Sequence, residues 1–332
     1  MGLLDLLFGG KDSSSTARKV GLPAIPVSDL RISDTFAEID SIGYYGECAI
    51  SPSREWVLIW RDSDSEVTHA GHRKKGLGSY VLYNDHQKKV VFKGTIERPN
   101  GGHVANNGIF SLEDWHFGDD LSGTFYVFSH DGSVLIRQTL KANIYNSALS
   151  ENGLLAACQT AIAPEPDGNR LTAFDVSSGT TIFSVHPETQ WANAYEFSEQ
   201  NRFVAVAIDG IGTFWYDSNG RFLNPEKYHQ ARLSCDKFNE ILLAAEELLK
   251  KPDLTAEQAE TALLAISRAR TLGADADTGW KAKALKLQGL AYEFLNEKEK
   301  AILVFEEALS LNPKIGVKSK ITKLRKSLGD ES

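Results

Sequence analysis

The chain has 332 residues, 42% of them hydrophobic and 24% charged, which is long enough for two domains with cores of their own and excludes disorder of the bulk. Its net charge of −8 is divided unevenly: from Lys227 onward 18 basic side chains meet 16 acidic ones, a net of +2, which leaves −10 for the rest. An acidic amino-terminal part argues against binding a phosphate backbone there, because such binding is chiefly electrostatic.

The opening MGLLDLLFGG lacks a cationic n-region, and its apolar run is too short for a signal peptide or a bilayer span. Leu6 stands where a myristoylation pattern requires Ser or Thr. Leu3, Leu4, Leu6, Leu7 and Phe8 gather on one side of a helical turn or two, and the KDSSSTARK that follows is linker-like. Residues 1–29 are therefore expected to form a leader and tether. The apolar group suits docking in a partner's groove, a weak contact of residues 1–10 with a membrane surface, or packing on the chain's own strands. Cys48, Cys158 and Cys235 are few, odd in number and far apart, as expected of reduced thiols in a cytoplasmic protein.

From about residue 30 a design repeats: apolar run, aromatic, polar turn, apolar run. GSYVLYNDHQKKVVFKG, GTFYVFSHDGSVLIRQ, NRLTAFDVSSGTTIFSV and IGTFWYDSNGRFLN align on Tyr83, Phe128, Phe174 and Tyr216. Alternating β-branched and aromatic residues around Asn, Asp, Ser and Gly predict hairpins, with Gly132, Gly179 and Gly220 at positions that want a positive φ. A further pair of apolar runs precedes each hairpin, as in CAISPSREWVLIW, SALSENGLLAAC and YEFSEQNRFVAVA, so each unit offers four short strands.

These units resemble the blades of WD40-like and quinoprotein-type β-propellers across residues 30–228, although the Gly-His and Trp-Asp landmarks of WD40 repeats are absent. The resemblance implies about four blades. RISDTFAEID (31–40) is expected to complete the last blade, whose own outer run RFLNPEKY is weak, and so to close the ring. The alternative is an open arc closed by the helices or by a partner.

Within this region HAGHRKK (69–75) reads as an exposed blade loop, in which Arg73, Lys74 and Lys75 are candidates for an acidic partner surface. His69 and His72 lack the third ligand and rigid support a metal needs, and no metal or cofactor is expected. In LEDWHFGDD the pairs Glu113/Asp114 and Asp119/Asp120 flank His116, but no mutual geometry is implied. No G-x-S-x-G elbow, P-loop, G-x-G-x-x-G or H-E-x-x-H is present, and an enzyme is not expected.

After Tyr228 the period changes to helical. CDKFNEILLAAEELLK (235–250) carries apolar residues at 3/4 spacing. TAEQAETALLAISRARTLG (255–273) follows, with Thr255 as N-cap and Gly273 as the stop. KAKALKLQGLAYEFLN and KEKAILVFEEALSL make a further pair. In that pair Gly289, Ala301 and Ala308 make room for a close crossing, Tyr292 and Phe305 fill it, and Pro313 ends the second helix.

That spacing resembles a tetratricopeptide (TPR) repeat over 282–315, with Leu285 in its Trp position and Gln288 in its Leu position. The helix pair at 235–272 is a degenerate copy, and GVKSKITKLRKSL is expected to be a capping helix. Residues 229–332 thus read as a TPR-like helical domain. The resemblance implies a partner-binding groove lined by Lys286, Leu290, Glu293 and Phe294, of which Leu290 and Phe294 equally suit the core. The basic run Lys314, Lys318, Lys320, Lys323, Arg325 and Lys326 reads either as an exposed cap face or as a nucleic-acid contact.

The combined expectation is a non-enzymatic adaptor or accessory subunit with protein partners. A small-ligand sensor or hydrolase using the propeller funnel is the alternative: a polar cluster converging at the funnel would favour it, and a hydrophobic or plugged channel would count against it.

Overall fold

The computed structural model describes residues 30–63, 76–116, 121–164 and 166–329. The strands form four sheets. The first runs, in order, β1 (Leu30–Ser33), β2 (Phe36–Ile39), β3 (Tyr44–Ile50), β4 (Trp56–Arg61), β5 (Gly78–Asn84) and β6 (Lys89–Ile96). The second is β7 (Pro99–Val104), β8 (Phe110–Trp115), β9 (Gly123–Phe128) and β10 (Val134–Leu140). The third is β11 (Ile144–Leu149), β12 (Leu155–Thr160), β13 (Leu171–Asp175) and β14 (Thr180–Val185). A fourth has β15 (Ala194–Ser198), β16 (Phe203–Ile208) and β17 (Gly212–Tyr216). Pairing in the first three is antiparallel throughout, each strand beside its neighbour in sequence.

The aligned aromatics Tyr83, Phe128, Phe174 and Tyr216 fall on β5, β9, β13 and β17, and all four are buried. The turns after β9, β13 and β17 place Gly132, Gly179 and Gly220 at φ of 79°, 68° and 76°. In all three turns an Asp before the glycine accepts backbone amides, Asp131 from Ser133, Asp175 from Ser178, and Asp217 from Asn219 and Arg221. Period-2 alternation divides each strand between two cores. Leu58, Tyr80 and Leu82 of the first sheet pack with Phe110, Leu112 and Phe128 of the second. Phe125 and Val127, the alternate residues of β9, pack instead with Ala156, Cys158 and Phe174 of the third.

Two expectations are corrected. The segment 31–40 does not complete the last sheet: β1 and β2 pair with each other and then with β3, extending the first sheet to six strands. The chain passes from β2 to β3 through Asp40–Ile42 and Gly43 at φ 56°, and Ala37 and Ile39 are buried with Tyr44, Val57 and Ile59. Pairing with the next strand in sequence closes a loop of a few residues, whereas the last sheet lies more than a hundred and fifty residues away. The run RFLNPEKY is not a fourth strand either. Phe222 makes one bridge to Tyr216, and Pro225 opens helix α1 (Pro225–Ser234), inside the stretch expected to be strand. Proline suits a helix's first turn, where its missing N–H has no partner to lose.

The helices continue as α2 (Phe238–Leu249), α3 (Ala256–Thr271), α4 (Thr278–Phe294), α5 (Lys298–Leu311) and α6 (Lys318–Gly329). Thr255 caps α3 in a reciprocal box with Gln258, and Gly273 follows its end at φ 116°. Ile241, Leu242, Ala245 and Leu248 of α2 pack with Ala262, Ile266 and Ala269 of α3 and with Ala284 and Leu287 of α4. A second core joins Ala301 and Phe305 of α5 to Val317, Ile321 and Leu324. By its internal contacts the chain separates into two units. One takes in the described residues up to Val206 with Trp215–Phe222, the other Ala207–Phe214 with those from Leu223 on.

Candidate functional site

The sequence repeat has a consequence at the turns joining the first two strands of each four-stranded design. These turns follow β3, β7, β11 and β15, and each holds one residue at positive φ: Arg54 (61°), Gly108 (79°), Gly153 (71°) and Arg202 (59°). Ser51 and Ser150 close their turns alike. Each hydroxyl accepts the amide five residues on, Trp56 at 3.1 Å and Leu155 at 2.9 Å.

Successive turns are then tied to one another. The Ser53 amide donates to Asn106 Oδ1 at 2.6 Å, and Asn106 Nδ2 donates in turn to Glu151 Oε1 at 3.0 Å. Asn107 Nδ2 donates to the Asn152 carbonyl at 2.8 Å, and Asn152 donates through its backbone and its amide to Glu199 at 3.2 and 3.0 Å. A polar chain thus runs across all four sheets. Gly153 permits the close approach: a Cβ there would stand 2.9 Å from Asn107 Oδ1.

Inside this rim lies an open cavity of about 640 Å³. Pro52 lines it from the first turn, His103 and Val104 from β7, Ser147 to Leu149 from β11, and Ala194 to Phe197 from β15, with Glu151, Asn152 and Glu199 at the rim. Burial alone would raise the carboxyl of Glu199, but hydrogen bonds from Ser150, Asn152 and neighbouring amides bring it below its ordinary range. His103 goes the other way: burial disfavours its cation and lowers it to about 4, against a hydrogen bond to the Ser147 backbone that favours it.

Beneath the lining is a buried polar cluster. Burial pushes the carboxyl of Glu113 up to about 7, against the opposing pull of Ser147 and Trp115. Both donors lie close enough to favour its charge, yet neither completes a well-formed hydrogen bond. Tyr195 donates to Asn146 Oδ1 at 2.5 Å, and Gln159 accepts the Ala192 amide at 2.9 Å. Buried without a well-formed protein hydrogen bond are Ser111 Oγ, Ser147 Oγ and Gln159 Nε2.

The acidic motif of β8 is pulled apart. On a strand Glu113 and Asp114 point to opposite faces. Asp114 accepts the Arg98 and Glu97 amides at 2.6 and 3.3 Å, while His116 meets Ser122 at 3.0 Å and Thr124 at 2.9 Å. Asp119 and Asp120 lie outside the described residues, as do Leu3, Leu4, Leu6, Leu7, Phe8, His69, His72, Arg73, Lys74 and Lys75. Among the described residues there is no group of three or more His, Cys, Asp or Glu side chains able to hold a metal, and no helix is long and apolar enough to cross a membrane.

In the helical unit a Cβ on Gly289 would stand 2.4 Å from the Phe305 ring, and Ala301 and Ala308 are fully buried on the same packing face. Tyr292 packs beside that core under Lys300, 5.5 Å from the ring centroid. Asn312, extended at φ −137°, precedes Pro313 just past the end of α5. Of the four groove candidates, Leu290 packs against both helical cores, which places it with the core. Glu293 is paired with Lys320 at 2.6 Å, Lys286 is half-buried, and Phe294 is 47% exposed. In the basic run Arg325 is likewise paired, with Glu306.

The rim was legible only as the repeated polar turns SPSRE, ANNGI, SENGL and SEQNR. Nothing in one sequence says that Asn106 reaches Glu151, or Asn152 reaches Glu199.

No protein-family model matches the chain, and no curated protein matches it. Among solved structures it is similar to the β-propeller domain of Myceliophteria thermophila Cps50 (Swd1), at 12% identity and a TM-score of 0.34 over 59% of this chain and 67% of that one. It is similar to a chain of the mitotic checkpoint complex at 10% identity and a TM-score of 0.34, over 68% and 73%. Likeness of that degree carries no weight for the fold, which rests on strand order and packing.

Proposed function

We propose that this chain is a non-enzymatic, cytoplasmic adaptor or accessory subunit of a multiprotein assembly. In this reading its sheets form a WD40-like propeller of about four blades, and α4 and α5 form a TPR-like repeat capped by α6. The observation that carries it is the chain of hydrogen bonds through Ser53, Asn106, Glu151, Asn152 and Glu199, which fixes the turns of successive sheets as one rim. A rim ordered before binding meets a partner at lower entropic cost than mobile loops would.

The test is affinity capture of the full chain from its native lysate, beside full-length Asn106→Ala/Asn152→Ala and Lys286→Ala/Phe294→Ala variants. A stoichiometric protein lost with either variant supports the reading and maps the surface used. A wild-type chain recovered alone and monodisperse refutes it.

A second reading, a small-ligand sensor or hydrolase, is favoured by one observation: the cavity is open and polar rather than hydrophobic or plugged. A thermal-shift screen of metabolites, repeated with Ser147→Val, tests it. A ligand that stabilises the wild type and loses its effect in the variant supports this reading, and an empty screen counts against it.

A further inference from the structure

The rim and its cavity have a chemistry narrower than "protein partner". Three carboxylate side chains, Glu151, Glu196 and Glu199, line the opening, and no described lining residue is Lys or Arg. Glu151 and Glu199 do not swing freely, because Asn106 holds one and Asn152 holds the other. Amide donors of this kind anchor a carboxylate without neutralising it, and each leaves lone pairs for another donor. His103, with its cation disfavoured by burial, adds no opposing charge at neutral pH.

A second observation is independent of the acids. Ser147 lines the cavity from β11 and is only 6% exposed, and its hydroxyl lies beside Glu113 without completing a well-formed hydrogen bond. A buried polar atom left so costs free energy until something completes it. Tyr195 and Phe197 add aromatic surface from β15, against which the apolar stem of a long cationic side chain can lie. The volume of about 640 Å³ belongs with pockets for organic groups rather than a bare ion.

We propose that this cavity seats the protonated side chain of a lysine or arginine carried by a partner's extended segment, its head between Glu151 and Glu199 and its stem along Tyr195 and Phe197. The inference rests on the adaptor reading and gives that partner a chemistry. The net −10 of the chain before Lys227 complements it, since a field opposite in sign to a basic segment steers it inward from a distance. The source is a partner rather than a free amine because the cavity opens among surface turns, where Glu151 is exposed to a second chain.

The experiment titrates the full chain with a labelled glycine–serine peptide carrying lysine and arginine. Its comparators are the peptide with acetyl-lysine and citrulline in their place, and free spermidine. Glu151→Gln/Glu199→Gln keeps both side chains' size and their acceptor oxygens for Asn106 and Asn152, and a thermal midpoint matching the wild type shows that it folds. The expected result is binding of the basic peptide that salt weakens, that falls ~10-fold or more in the double variant as charge-assisted bonds are lost, and that the neutral peptide lacks. Ser147→Ala should weaken it further.

No binding to the wild type, equal binding of the neutral peptide, or an unchanged affinity in the double variant overturns the proposal. Spermidine binding without peptide binding overturns the assigned source. A protein captured from lysate equally well by wild type and double variant leaves the adaptor reading standing while removing this inference.

Discussion

Gly289 offers the sharpest test of how the helical unit is held together. In an exposed helix Gly→Ala stabilises by about 1 kcal/mol, because alanine gives up less backbone freedom. Here the added methyl would lie 2.4, 2.5 and 2.8 Å from three carbons of the Phe305 ring. The ring has no retreat: it is fully buried, and Ala301, Val317, Ile321 and Leu324 close the cluster around it. Overpacking a core of this kind costs about 1–3 kcal/mol. With all three contacts this short the cost falls toward the upper end, about 2–3 kcal/mol, and the gain of about 1 kcal/mol in propensity leaves Gly289→Ala destabilising the α4–α5 pair by about 1–2 kcal/mol.

Because the chain has two units, a global melt would mix them, and hydrogen exchange of α4 and α5 peptides by mass spectrometry is the better readout. Protection there should fall by roughly a factor of ten per 1.4 kcal/mol. Gly289→Ala/Phe305→Leu should recover part of the loss, since the smaller side chain vacates the space the methyl needs. Unchanged or increased protection in the single variant would refute the reasoning.

Three further perturbations follow from the same structure. Thr255→Ala removes the capping box of α3 and should lower local stability by ~1 kcal/mol, seen as faster exchange of the first-turn amides; Thr255→Ser should leave them protected. Arg232, 6% exposed, meets Glu247 at 2.6 Å and lies 3.5 Å from the buried Glu240, so Arg232→Leu takes a cation from beside a buried carboxylate and should cost about 2–3 kcal/mol in denaturant unfolding of the helices. Adding Glu240→Gln should return part of it.

The third perturbation concerns Glu113. Its carboxyl is pushed up to about 7 from 4.5, so the native state holds a proton the unfolded chain releases. Its contribution is therefore intact below pH 4.5 and is lost as pH rises to about 7. Glu113→Gln should accordingly raise the thermal midpoint above pH 7 and do little below 4.5. His103, lowered to about 4, titrates with the opposite sign over an overlapping window and is present in both proteins, so the difference isolates Glu113. A shift equal at both ends of the range would count against the mechanism.

How much of this could be read from the residues depends on the range of the interaction. Hairpins around Gly132, Gly179 and Gly220, the cap at Thr255, and the Gly289–Phe305 packing are set by near neighbours, and period, turn chemistry and side-chain size spell them out. The partnership of β1 and β2 was not legible, because LRIS and FAEI suit any sheet edge. Only the packing of Ala37 and Ile39 against Tyr44, Val57 and Ile59 chose the first sheet over the last. Likewise RFLN has the composition of a strand, and the turn into α1 at Pro225 overrode it.

The candidate site lies furthest from the sequence's reach. Asn106, Glu151 and Glu199 are ordinary turn residues taken one by one, separated by dozens of positions. By itself the sequence determined that there would be turns and that they would be polar. Which turns meet, and that their carboxylates gather at one cavity lined by Ser147, was decided by the packing of sheet against sheet. Tertiary structure alone brings groups that distance apart to within hydrogen-bonding range, because the interaction is strong only at contact and the chain carries no local record of it.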